Sequence, residues 1–260
     1  MSAVSYDAPV KSWVKVAAPV VVGLLMIGIW ILIVDVLDAA PRALPSPIAI
    51  VEEFVLRFGI IWEDMTITAT NALTGLLVGS IVAIVLAALA ASFRPIDGML
   101  APLVASIAVV PIVALTPILN TMFGASSQFG RLSVAAIAAF VPVFVNVLRG
   151  LRQTRPVHRD LLRASAATSM QTFRVLTLPT ALPYLLTGLR IASSIAVIAA
   201  LVAEYFGGPA DGIGTAIASY AKSGRASLAF AYVAGGIAIG LALFLVLSLL
   251  ERLVSRRKPV

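Results

Sequence analysis

The stretch RGLRQTRPVHRDLLRASAATSMQTFRVLTLP, residues 149–179, interrupts a strongly apolar chain with Arg149, Arg152, Arg155, His158, Arg159, Arg163 and Arg174. Apolar runs flank it, Leu132–Leu148 before and Leu178–Ala203 after. A loop this cationic is excluded from hydrocarbon, and Lys and Arg accumulate on the cytoplasmic side of membrane spans. The stretch therefore reads as a cytoplasmic loop between two crossings of an all-α polytopic membrane protein. Its Asp160–Thr172 part is compatible with a helix, which predicts a rigid projection that another molecule grips.

Composition agrees. Of the 260 residues 60% are hydrophobic and only 12% charged, with a mean hydropathy of +1.05, whereas soluble domains carry about 25% charged residues. Such a chain has room for about six helices of roughly 20 residues, the length that crosses a hydrocarbon core of about 30 Å. The formal charge of +7 does not indicate nucleic acid, because no nucleic-acid motif accompanies the cations. With no cysteine, disulfides, thiolate metal sites and thiol catalysis are excluded. Lys11 and Lys15 precede an apolar run too long for a signal peptide's hydrophobic region, so it reads as a retained first span.

Six spans are expected: Val16–Leu37, Thr66–Ser92, Met99–Met122, Leu132–Leu148, Leu178–Ala203 and Leu228–Leu250. With the N-terminus inside, thirteen basic residues are cytoplasmic: Lys11, Lys15, Arg94, Arg149, Arg152, Arg155, Arg159, Arg163, Arg174, Arg252, Arg256, Arg257 and Lys258. Five, namely Arg42, Arg57, Arg131, Lys222 and Arg225, are external, so both termini are expected in the cytoplasm. The domain plan is a cytoplasmic tail (1–15), one transmembrane domain (16–252) with a loop at about 149–178, and a basic cytoplasmic tail (253–260). After the prolines Pro41, Pro45 and Pro47, Ile48–Phe58 reads as an external interfacial helix, and Ile213–Tyr220 as a second short external one.

The segment DLLRASAATSMQTFRVLTLP, Asp160–Pro179, resembles the EAA loop of ABC importer permeases. That loop runs Glu-Ala-Ala, three residues, Gly, nine residues, an aliphatic residue, any residue, Leu-Pro. Asp160 takes the Glu place, Leu161 and Leu162 the Ala-Ala places, Ala166 the Gly place, and Leu176 with Leu178-Pro179 the closing places. LPSP at Leu44–Pro47, GLRQTRP from Gly150, LPTALPYLLTGLRIA from Leu178 and VAEYFGG from Val202 also resemble the permeases for nitrate, sulfonate, bicarbonate, and thiamine or flavin precursors.

The resemblance implies a type I ABC importer permease fold with a cytoplasmic coupling helix. It further implies two permease subunits (two copies of this chain, or one and a paralogue), two ATPase subunits and an external solute-binding protein, all seated in or on the bilayer of a cell membrane. No G-x-x-x-x-G-K-[ST] occurs in the chain, so ATP and Mg are expected on the partner ATPases and no cofactor here. A projecting helix that transmits force needs apolar anchors with charges at the rim. Leu161, Leu162, Ala164, Met170 and Phe173 are the candidate anchors, and Asp160, Arg163 and Ala166 complete the set. Pro156 suits a helix start. The alternative use of the loop is contact with anionic lipid headgroups.

Polar residues inside spans are the remaining candidates. Arg190 lies about 18 Å into the fifth span and needs a partner or a wet cavity. It either lines a path for an anionic or polar solute, or snorkels towards the cytoplasmic side or pairs within the subunit. Glu204, about 21 Å further along the axis, is either an outer-mouth or gating residue or a solvated helix end. Thr187 and Ser194 share a face with Ile191, Ile198 and Leu201 that is either path or helix contact. Asn71, Asn120 and Asn146 offer path lining or interhelical hydrogen bonds. Pro102, Pro111 and Pro117 are expected to kink the third span and Pro142 to break the fourth. Lone His158 reads as a loop residue. No Ser-His-Asp set, paired carboxylates or metal cluster is present, which argues against an enzyme. The rival reading is a secondary transporter or channel driven by an ion gradient, for which inverted repeats and intramembrane acids would be expected. VAEYFGG leans towards pyrimidine or flavin-type solutes.

Overall fold

A computed structural model describes residues 12–37, 44–124 and 127–255. Lys11, Pro41, Arg42, Arg256, Arg257 and Lys258, and hence most of both tails, lie outside the described residues. The helices are α1 (Ser12–Ile31, continued by a π-helical turn Leu32–Val36), α2 (Pro47–Leu56), α3 (Phe58–Ser92), α4 (Arg94–Val109), α5 (Ile112–Phe123), α6 (Phe129–Arg152), α7 (Pro156–Ala164), α8 (Ser169–Thr172), α9 (Leu178–Tyr205), α10 (Ile213–Lys222) and α11 (Ala226–Ser255). Among the described residues five helical stretches are long and apolar enough to cross a membrane, and the bent pair α4–α5 makes a sixth if counted as one span.

The centre of the bundle is α3, α6 and α9, with α11 against α9 and α10 wedged between α9, α11 and α3. Lipid is as apolar as leucine, so helices associate through close van der Waals fit, which small side chains permit. The buried faces show it: Ala72, Gly75, Gly79, Ala83, Ala87 and Ala90 on α3, and Ala192, Ala196, Ala199, Ala200 and Ala203 on α9. A Cβ on Gly79 would fall on the backbone of Ala136 in α6, and one on Gly75 on Ala135, so these two glycines set the α3–α6 separation. α1 stands apart, exposed along its apolar length, with Trp30 edge-on to Phe230 of α11.

Contacts fix the relative directions of α4, α6 and α9. The Arg152 Nη2 to Asp97 Oδ1 ion pair (2.7 Å) brings the end of α6 to the start of α4, and Gly150 packs on Ala181 and Tyr184 near the start of α9. This end carries Arg94, Arg149, Arg152, Arg155, Arg159, Arg163, Arg174 and Arg252. The opposite end holds the starts of α3, α6 and α11, the end of α9, and α10.

Two expectations are corrected and one is sharpened. The kink expected within Met99–Met122 is a break, with α4 and α5 meeting at 103°. Pro111 supplies no N–H and pushes Val110 into extended backbone (ψ 123°), which ends α4 at Val109. Pro142, by contrast, lies inside an uninterrupted α6. The helix expected over Asp160–Thr172 is two pieces, α7 and α8, parted at Ala166, whose φ of +53° is the left-handed conformation. Thr168 then restarts the chain with a capping box, its hydroxyl accepting from Gln171 N while its own N–H donates to Gln171 Oε1.

Candidate functional site

Two polar knots and one bare projection stand out from the apolar bundle. The first knot is at the α10 end. Glu204, in the last turn of α9, is 1% exposed, and its carboxylate accepts from Thr68 Oγ1 (2.8 Å), Asn71 Nδ2 (3.1 Å) and Gly214 N (3.0 Å). Thr68 is used twice, since its hydroxyl also accepts from Ile213 N (2.9 Å). Gly212, at φ +85°, lies against the carboxylate, where a Cβ would come 2.7 Å from it. The first turn of α10 therefore donates its otherwise orphaned N–H groups to α3 and α9. Asp64 joins by accepting from Gly212 N (2.9 Å).

Beside it, Arg131 of α6 is fully buried. Its Nη1 donates to Asp211 Oδ1 (2.5 Å), and its Nη2 to Pro209 O and to Thr215 Oγ1 (3.1 Å). Thr215 passes the chain on to Glu204 O (3.1 Å). A buried guanidinium requires partners of this kind, because an unpaired charge there is costly; its two Nη atoms have them, while Nε has none among the described residues. Together the two groups tie the Gly207–Gly212 turn and α10 to three spanning helices.

The second knot lies in the arginine-rich half. Arg190 Nε is 2.8 Å from Glu251 Oε2 of α11, its guanidinium sits 5.6 Å from the Phe244 ring centroid, and Thr187 Oγ1 donates to Glu251 Oε1 (2.6 Å). Arg190 thus has an intrasubunit partner.

The other sequence candidates fall variously. Asn71 belongs to the first knot. Asn120 is buried between Gly130 and Gly207, its side-chain carbonyl without a partner among the described residues. Asn146 bonds back to Pro142 O (2.8 Å) within α6 and makes no hydrogen bond to another helix among the described residues. Ser194 is half-buried on α9, with Ile191 and Ile198 exposed on the same face. Glu204 as a solvated helix end is overturned by its burial. Thr68, Asp64, Arg131, Asp211 and Glu251 escaped the sequence reading. Their sole signal was a charge or hydroxyl beside an apolar run, which solvated ends show equally.

The projection is α7, α8 and the π-helical turn Phe173–Thr177, none with a buried residue. Val157, Leu161 and Ala164 follow at i, i+4 and i+7 on one face of α7, with Leu161 65% exposed; Met170 (59%) and Phe173 (43%) are also bare, and Leu162 is half-covered. Asp160 pairs only loosely with Arg163 (3.4 Å). Among the described residues no group of three or more His, Cys, Asp or Glu side chains stands together as a metal site.

A bundle with a broken third span and a helical projection at its basic end has the architecture of ABC transporter permeases. The solved structure of an amino acid ABC transporter with histidines superposes with a TM-score of 0.62, covering 76% of this chain and 96% of that one at 18% identity. Residues 75–259 match the family described as binding-protein-dependent transport system inner membrane component, and the chain belongs to that family. Among its relatives, the formylaminopyrimidine transport permease ThiX of Halalkalibacterium halodurans is 33% identical over 64% of this chain and 67% of that one. The riboflavin transport system permease RibX of Chloroflexus aurantiacus is 30% identical over 94% and 91%. The putative aliphatic sulfonates transport permease SsuC of Bacillus subtilis is 27% identical over 80% and 75%. The chain is a multi-pass permease subunit of a binding-protein-dependent ABC importer for a small solute, which displaces the ion-gradient alternative.

Proposed function

We propose that this permease couples to a separate ATPase through α7 and α8, and that it moves a small heteroaromatic, pyrimidine or flavin-type solute. One observation carries the coupling: a projection whose apolar face of Val157, Leu161 and Ala164, with Met170 and Phe173, has no partner within the described chain and is rimmed by Arg155, Arg159 and Arg163. An exposed apolar helix face with a charged rim is what helix-in-groove docking uses. The partner binds ATP and Mg²⁺, and closure of paired ATPases moves α7 and hence α9, to which the π-helical turn connects it. A second permease, identical or a paralogue, completes the path, and a solute-binding protein docks at the α10 end. The basic end of the bundle faces the cytoplasm.

The solute class rests on the formylaminopyrimidine and riboflavin permeases among the relatives. A binding screen of the cognate external protein against aminopyrimidines, flavins, sulfonates and bicarbonate tests it, and binding of only the last two would refute it. For the coupling, the joint replacement Leu161→Asp and Leu162→Asp is expected to abolish ATP-driven uptake in proteoliposomes while the ATPase still binds nucleotide. Unchanged uptake would remove α7 from the drive.

A further inference from the structure

Of the 16 residues of α4 only Val104 is buried, so this helix rests on the bundle across open space. On its face towards α6, Ala101, Ala105 and Ala108 follow at i, i+4 and i+7, and their short side chains leave a groove of about 370 Å³ against Val141, Phe144 and Val145. Apart from two arginines, every side chain along this groove is apolar. A polar solute entering it would leave its hydration behind and meet no side-chain donor or acceptor until those arginines. An alkyl chain would lose nothing.

The arginines sit together at one end of the groove. Arg149 and Arg152 occupy the last turn of α6, and a 24-residue helix is roughly 36 Å long, which brings that turn to the headgroup level. Arg152 is neutralised by Asp97 at 2.7 Å. Arg149 is exposed and takes part in no ion pair among the described residues. An apolar slot ending in one uncompensated cation at the membrane boundary is complementary to an anionic amphiphile.

We propose that the α4–α6 groove holds one acyl chain of an anionic phospholipid, whose phosphate sits on Arg149. The lipid fills the space that α4 leaves and supports the helix up to its break at Val110. This inference is independent of the ATPase docking and of the solute class.

Native mass spectrometry of the full chain in neutral detergent, with dioleoyl phosphatidylglycerol or dioleoyl phosphatidylcholine added, reads it directly. One equivalent of phosphatidylglycerol is expected to be retained at least about fivefold better than phosphatidylcholine, which is what one basic residue near an anionic charge provides. Arg149→Gln should erase that preference. Ala105→Phe, which fills the slot and spares the cation, should release both lipids, and Ala101→Leu provides the same block with a smaller side chain should the first variant not fold. Equal retention of the two lipids by the unaltered chain would overturn the proposal. So would phosphatidylglycerol persisting in both slot-filling variants, which would leave only a surface charge contact. Displacement of the lipid by inorganic phosphate alone would assign the site to a free anion instead.

Discussion

Ala166 adopts φ +53° at the turn between α7 and α8, a conformation that costs an L-residue about 1–2 kcal/mol relative to glycine. It is the position that the resemblance to the EAA loop gives to Gly, and the backbone now supplies the reason. Its side chain is exposed, so Ala166→Gly sacrifices no packing, though it loosens the unfolded chain by roughly 0.5–1 kcal/mol. A net gain of up to about 1.5 kcal/mol is expected, read as up to roughly tenfold slower amide exchange across residues 161–173. Faster exchange would mean that the turn is not under strain. Glu204 presents the opposite case, a side chain on which three donors converge. Glu204→Ala orphans them at about 1–3 kcal/mol each. The purified variant should melt well below the parent, with Glu204→Gln, which keeps the shape and one acceptor oxygen, between the two. Equal melting of the alanine variant and the parent would show that the knot holds nothing.

Helix pairs in this bundle are set by what is missing from their faces. α3 and α6 approach closely because Gly75 and Gly79 leave room for Ala135 and Ala136. Gly79→Val drives a branched side chain into the Ala136 backbone, and overpacking of this kind costs typically about 1–3 kcal/mol. A methyl group added at Gly59 on the same helix would meet nothing within 4 Å, so Gly59→Ala should stabilise α3 slightly through helix propensity. A thermal-unfolding comparison in detergent decides it: the two variants must shift the transition in opposite directions. The prolines teach the same point. Pro111 terminates α4 whereas Pro142 is absorbed in α6, whose flanks pack on α3 and α9. Neighbouring helices keep a proline-bearing segment helical when they grip both of its sides, which residue type does not reveal.

The molecule as a whole is polarised, with arginines at one end and the Glu204–Arg131 knots at the other. That polarity predicts its orientation, and the natural absence of cysteine allows a clean measurement. A membrane-impermeant maleimide added to intact cells is expected to label Lys222→Cys and to spare Arg159→Cys until the membrane is opened. The reverse pattern would invert the topology and detach the proposed ATPase surface from the cytoplasm.

What the chain announces in one dimension is whatever the bilayer imposes: spans of about 20 apolar residues, and a cationic loop that hydrocarbon rejects. These constraints act on contiguous residues, so composition and spacing expose the all-helical architecture, the projection and the short α2 and α10 helices. Folding in three dimensions was needed to bring Glu204 to Thr68 and Asn71, 136 and 133 positions away, and Arg131 to Asp211, 80 away. Isolated beside apolar runs, such groups look like solvated ends. A charge is made structural by the donors and acceptors that surround it, and those arrive from distant helices only once small residues have let the helices close.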